Sequence, residues 1–335
     1  MRLGGINRRV MGVSVAALFA AAGVLTSGSA TARPLGEGEP ANGAAPAAFK
    51  VADTYAAITA TGSTHYLRLV SKSTGRVLAT LGSGRTDSPG FPQSYFSSVD
   101  LARDGSVYAV APDRSLPSSY QKSLFRYTAK SVTKLQPFIA SAQESPDGKR
   151  LATTVISPDG DGDGFGLLAL RIADKNGKAT QTLMSAKLAV WKDGSPAIGP
   201  GAPGVNGWLP NGDLAMSNGC CDGGWAWVAS STRPTPTSPG WLVPRRGAIT
   251  GNFGTTIIGY KGAQALAVQW DSESMTSRAR WMTKAGPTGK VVRTVKGSPL
   301  DSADSLNKAA GATPLQVSAK KFPYRGPGKV VGAYL

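Results

Sequence analysis

The chain is 335 residues long, with 42 Gly, 23 Pro, 2 Cys and a single His, and its formal net charge is +17. That length can bury the core of one large domain or two small ones. A lone histidine and one adjacent cysteine pair argue against a closed zinc site, and the Gly and Pro content favours short strands joined by turns over long helices.

Residues 1–32 have the layout of a cleavable secretory signal peptide. Arg2, Arg8 and Arg9 form a positive start, Val10 to Leu25 is an apolar run, and Ala30-Thr31-Ala32 supplies small residues for cleavage after Ala32. The apolar run is about 16 residues, short of the roughly 20 that a membrane-spanning helix needs. No later run approaches that length, so the processed chain is expected to have no membrane span. Losing Arg2, Arg8 and Arg9 lowers the formal charge from +17 to +14. Residues 33–48, RPLGEGEPANGAAPAA, lack any periodic apolar pattern and read as a flexible linker.

From residue 49 to 335 the pattern is short β-rich runs separated by turn residues. Tyr66 to Val70 and Val77 to Leu81 flank a Ser-Thr-Gly turn and predict a hairpin. Val99 to Ala102, Arg103-Asp104-Gly105 and Val107 to Val110 predict a second, built on an Asp-Gly turn. The arrangement returns around Pro146-Asp147-Gly148 and again around Pro210-Asn211-Gly212. Such dipeptides suit tight hairpins in which both central residues take positive φ. Further strand pairs follow at 124–127 with 132–135 and at 167–172 with 180–184. Four late runs, 255–260, 265–270, 278–282 and 291–295, make a complete four-stranded unit. Past Pro299 the pattern weakens, and residues 328–335 predict a closing strand that pairs with the first unit.

Asp104 and Asp147 lie about 43 residues apart, the length of one four-stranded propeller blade. Ser145-Pro146-Asp147-Gly148-Lys149-Arg150-Leu151-Ala152 resembles the signature of TolB-like, WD40-like (PD40) secreted propeller repeats, and 103–110 and 210–216 resemble degenerate copies. The resemblance implies an all-β propeller of five to seven four-stranded blades; a β-sandwich is the alternative. It implies nothing about activity, since propellers host many functions. The longer interval to Asn211 is read as loop insertion around 157–165 and 191–205.

Three segments are candidate sites. Asp159, Asp161 and Asp163 alternate with glycines and suit the hard oxygen ligands of calcium, although Leu167 and Leu170 stand where loop-closing acids would be needed. Cys220 and Cys221 can close a strained vicinal disulfide in an oxidising compartment, with free thiols or an intermolecular bridge as the other outcomes. Trp208, Trp225 and Trp227, with Asp213 and Asp222, could line an aromatic platform for a sugar or peptide, or simply fill the blade core. His65 lies in an alternating strand and reads as a surface or strand-end residue. No Gly-x-Ser-x-Gly elbow accompanies it.

Two functional readings from different classes follow. One is a secreted, monomeric binding module for anionic cell-wall polymer or carbohydrate. The other is an extracellular glycan-active enzyme whose carboxylates, Asp213 and Asp222, sit near the Cys220–Cys221 loop. Nucleic acid is not expected as a partner, because no nucleic-acid module is recognisable.

Overall fold

The computed structural model describes residues 50–86, 95–116, 122–157, 165–189, 203–220, 223–237, 243–244, 246–251, 255–315 and 322–334. The leader and linker expected over 1–48 lie outside them. The described chain forms five antiparallel sheets and is a five-bladed β-propeller.

Blade 1 contains β1 (Thr54–Thr61), β2 (Thr64–Ser71) and β3 (Val77–Arg85). Blade 2 is β4 (Ser97–Leu101), β5 (Val107–Pro112), β6 (Lys122–Tyr127) and β7 (Val132–Pro137). Blade 3 is β8 (Ile139–Glu144), β9 (Arg150–Ser157), β10 (Phe165–Asp174) and β11 (Ala179–Ala189). Blade 4 is β12 (Gly204–Trp208), β13 (Leu214–Cys220), β14 (Gly223–Ala229) and β15 (Ile249–Gly251). Blade 5 is β16 (Thr255–Lys261), β17 (Gln264–Asp271), β18 (Thr276–Thr283) and β19 (Gly286–Lys296). A helix, α1 (Pro299–Ala310), follows blade 5. Next come the short β20 (Thr313–Pro314), which adds to the free edge of β16, and β21 (Lys329–Tyr334), which adds to β1. The late four-strand unit and the closing strand therefore form as the sequence predicts, with Ala57 opposite Ala333 and Ile58 opposite Gly332.

The burial pattern follows from stacking blades face to face. Inner strands have both faces covered, so they read as unbroken apolar runs: Val107 to Ala111 is buried at every position. Outer strands are mostly wet, as in β7 and β19. Ile58, Leu67, Leu69, Phe96, Val107 and Tyr127 pack between blades 1 and 2. Tyr108, Leu124, Ile139 and Leu151 pack between blades 2 and 3. A larger cluster around Leu170, Met184, Met216, Ile257 and Met282 joins blades 3, 4 and 5. Each such side chain contributes about 1.5–3 kcal/mol by leaving water.

The Asp-Gly turns differ from expectation. Gly105, Gly148 and Gly212 have φ of +83°, +71° and +81°, whereas Asp104, Asp147 and Asn211 are not left-handed. The side chain does the work instead. Asp104 Oδ1 accepts the Ser106 N–H at 2.9 Å, Asp147 Oδ1 that of Lys149 at 3.1 Å, and Asn211 Oδ1 that of Asp213 at 3.2 Å. All three turns join the first two strands of a blade, in blades 2, 3 and 4.

Helix α1 was not anticipated. Proline opens it and Gly311, at φ +61°, follows its end. Leu306 is buried and Ala303 and Ala310 half-buried against Ile258, Leu266 and Val268 on the blade 5 face that points away from blade 4. The matching face of blade 1, Tyr55, Ala57 and Val70, is covered by Phe322 and Tyr324 of the C-terminal segment.

Candidate functional site

The three tryptophans do share one surface. Trp208 pairs with Leu214, Trp227 with Met216 and Trp225 with Asn218, and the alternation of β13 puts all three rings on the same face of blade 4. That face meets blade 3. Trp208 is 6% exposed; its Nε1 donates to the Gln143 carbonyl at 3.1 Å, and the Arg150 guanidinium lies 5.1 Å from its ring. Trp227 is completely buried, and its Nε1 has no hydrogen-bond partner. Trp225 is half-buried against the same core cluster. An aromatic platform needs an open ring face, and the structure builds two of the three rings into the packing between blades.

Asp213 is also accounted for. It follows the Asn211-Gly212 turn, is 6% exposed, accepts from Asn211 Nδ2 at 2.7 Å and pairs with Lys284 Nζ of blade 5 at 3.1 Å. Asp222, Cys221, the Cys220 side chain and Asp159, Asp161 and Asp163 lie outside the described residues. The acidic segment joins β9 to β10, and the cysteine segment joins β13 to β14. Among the described residues no group of three His, Cys, Asp or Glu side chains could hold a metal ion. His65 is at a strand end but is not on the surface. It is 8% exposed, accepts the Tyr95 N–H through Nδ1 at 2.7 Å, and burial lowers its pKa.

Sequence reasoning missed a reciprocal clasp between blades 2 and 3. Asp100 of β4 accepts the backbone N–H of Glu144, and the Glu144 carboxylate accepts the N–H of Arg103 at 3.0 Å. Each blade thus caps a donor on the other. Burial, reinforced by the neighbouring Glu144 charge and only partly offset by that hydrogen bond, pushes the Asp100 carboxyl up to about 7. Burial also raises Glu144. The signal in the sequence was a lone acid at the centre of an apolar strand, Val99-Asp100-Leu101.

Basic residues occur on every blade. The β18–β19 hairpin, Thr276 to Lys296, contains Arg278, Arg280, Lys284, Lys290, Arg293 and Lys296 and no Asp or Glu. All but the half-buried Arg280 are exposed.

No protein-family model matches the chain, and no curated protein matches it. Among solved structures it is similar to the Dos1 propeller, at 9% identity and a TM-score of 0.39 over 75% of this chain and 57% of that one. It is similar to the periplasmic gluconolactonase PpgL of Pseudomonas aeruginosa, at 14% identity and 0.40 over 73% and 69%. It is likewise similar to the dihydro-heme d1 dehydrogenase NirN, at 9% and 0.36 over 73% and 44%. The chain spans about half the length of the Dos1 and NirN structures. Likeness at that level says nothing of activity.

Proposed function

We propose that this chain is an exported β-propeller, of the TolB-like repeat type, that serves the cell envelope as a binding module for anionic polymer. The observation that carries the reading is the charge. A net +17 falls to +14 once the leader is removed, with much of it on exposed strands of a rigid scaffold. Outside a cell such a surface meets wall polymers first, and long-range attraction raises the encounter rate. A carbohydrate ligand near the Cys220–Cys221 end, with calcium at Asp159, Asp161 and Asp163, belongs to the same proposal. A glycan-active enzyme is the weaker reading, because Asp213 is already engaged by Lys284 and Asn211.

The test uses the secreted protein and cell walls prepared with and without their anionic polymers. Retention should be strong on intact walls, weak on stripped ones, and should fall steeply between 50 and 200 mM salt (values on the order of those at which counterion release is measured). Equal retention on both wall preparations, or none at low salt, would sink the proposal.

A further inference from the structure

Basic side chains occur all over the molecule, but five of them line up along one strip of its surface. The pairing of β17 with β18 sets Ala265 opposite Met282, Ala267 opposite Arg280 and Gln269 opposite Arg278. Ala265, Ala267 and Met282 belong to the core shared with blade 4. Arg278 and Arg280 therefore leave the blade on the side that faces blade 4, two residues and roughly 7 Å apart along the strand. Lys296, opposite Thr276, falls on the same side. At the turn end of the hairpin blade 4 comes against blade 5. A Cβ on Gly247, whose φ is +86°, would stand 2.4 Å from the Lys284 carbonyl oxygen and 3.4 Å from the Gly286 nitrogen. That approach brings Gly247, the residue after the exposed Arg246, against the Lys284 backbone.

The strip thus carries Arg246, Lys284, Arg280, Arg278 and Lys296 along the outer boundary between blades 4 and 5. Among the described residues, two carboxylates pair with it. Asp213, itself buried, pairs with Lys284, and Asp271 stands 3.8 Å from Arg278. An edge strand needs charge to prevent edge-to-edge pairing, but either sign serves, and mixed signs cost less in self-repulsion. With five cations against those two carboxylates the strip keeps a net positive charge, which is costly along a boundary unless a partner neutralises it.

We infer that this strip is the binding surface for a linear phosphodiester polymer, which lies along the boundary between blades 4 and 5. The inference rests on the anionic-polymer reading above and deepens it. Repeated cations along a line match repeated charges on a chain better than they match one small anion. Guanidinium groups, three of the five, donate two parallel N–H bonds to phosphate oxygens. Nucleic acid fits less well, because both tryptophans of this blade are turned away: Trp270 and Trp281 share the face of Leu266, Val268 and Ala279, on the α1 side, and Tyr260 is packed into the core shared with blade 4.

The experiment measures binding of poly(glycerol phosphate) to the full secreted protein at low salt, with polyglutamate of equal charge and length beside it. Two variants are compared. One carries Arg246→Gln, Arg278→Gln, Arg280→Gln and Lys296→Gln. The other removes four exposed charges on blades 1 to 3, with Arg76→Gln, Lys130→Gln, Lys149→Gln and Lys175→Gln. The strip variant should bind poly(glycerol phosphate) at least tenfold more weakly, with a salt slope reduced by about three to four units. The control should lose no more than about threefold. Equal losses in the two variants, or polyglutamate binding the native protein as tightly as poly(glycerol phosphate), would overturn the strip while leaving the binding-module reading standing. A native protein that binds no anionic polymer would take down that reading itself. Thermal unfolding of both variants separates lost binding from lost fold, and Arg278→Gln with Lys296→Gln alone, which leaves the half-buried Arg280 in place, gives the second measure should the fourfold variant unfold.

Discussion

At the scale of single residues, the Asp100–Glu144 clasp makes the most specific prediction. Tyr108 lies directly across the strand pair from Asp100, and Arg103, Asp104 and Arg126 complete the charged groups around the two carboxyls. An Asp whose folded pKa stands near 7, against 3.8 when unfolded, holds a proton in the folded state that the unfolded chain has already released. Its contribution is complete below pH 4 and disappears as pH rises to about 7, a change of up to about 4 kcal/mol. Asp113 works the other way but at lower pH, since Lys134, Ser123 and Ser115 outweigh its burial and hold it at about 2. His65, lowered by burial, also opposes the trend as pH approaches its unfolded value. The difference between native protein and Asp100→Asn isolates the group: denaturant titrations from pH 4 to 8 should show native stability falling relative to the variant. Parallel curves would remove Asp100 from the account. Trp208 and Trp227 show why such positions were not legible in the sequence. On an inner strand both faces are buried, so alternation cannot tell a side chain that packs against the next blade from one that lines a cavity.

Individual elements were easier to read where they repeat. The three Asp-Gly or Asn-Gly turns mark the first hairpins of blades 2, 3 and 4, and each is fixed locally by one side-chain acceptor. Blade 1 lacks the mark because the strand beside β1 is β21, from late in the chain, so no short turn joins the two, and only the apolar pattern of 328–335 indicated the pairing. Helix α1 was hidden for another reason: its buried stripe is mostly small, Ala303, Leu306 and Ala310, among Ser and Asp residues of low helix propensity. What ties the C-terminal segment to blade 1 is Arg68 of β2, 5% exposed, which donates to the Tyr324 hydroxyl and the Pro327 carbonyl. Tyr55 adds a hydrogen bond to the Pro323 carbonyl at 2.9 Å and stacks on Phe322. Arg68→Met should cost about 1.5–3 kcal/mol, because it removes two charge-assisted hydrogen bonds made by a buried guanidinium. Amide exchange should accelerate in β21 and β1 while blades 3 and 4 stay protected. Uniform acceleration across all five blades would mean that the segment is not a separate closing unit.

For the molecule as a whole, composition and charge indicated an all-β scaffold with a strongly positive surface, and the five sheets bear out the first part. The leader and the cysteine pair are joined in one expectation that intact-mass spectrometry of the exported protein can read. The chain should begin at Arg33, and the unreduced mass should fall two hydrogens short of the dithiol form. A chain that retains Met1 in membranes would refute the cleavage. Two thiols that alkylate without reductant would refute the bridge.

The pairing of β21 with β1 also fixes an order of events. Ribosomes add residues from the N-terminus at about 5–20 per second, so the strand that completes blade 1 is made on the order of 15–60 s after the strand it must join. Through that interval β1 has a bare edge, and the sheet that appears first in synthesis is the last to be finished. A chain stopped anywhere before Lys329 would keep that edge permanently open, which makes β21 a poor place for truncation and the exposed Thr61-Gly62 turn of blade 1 a better place for new ends.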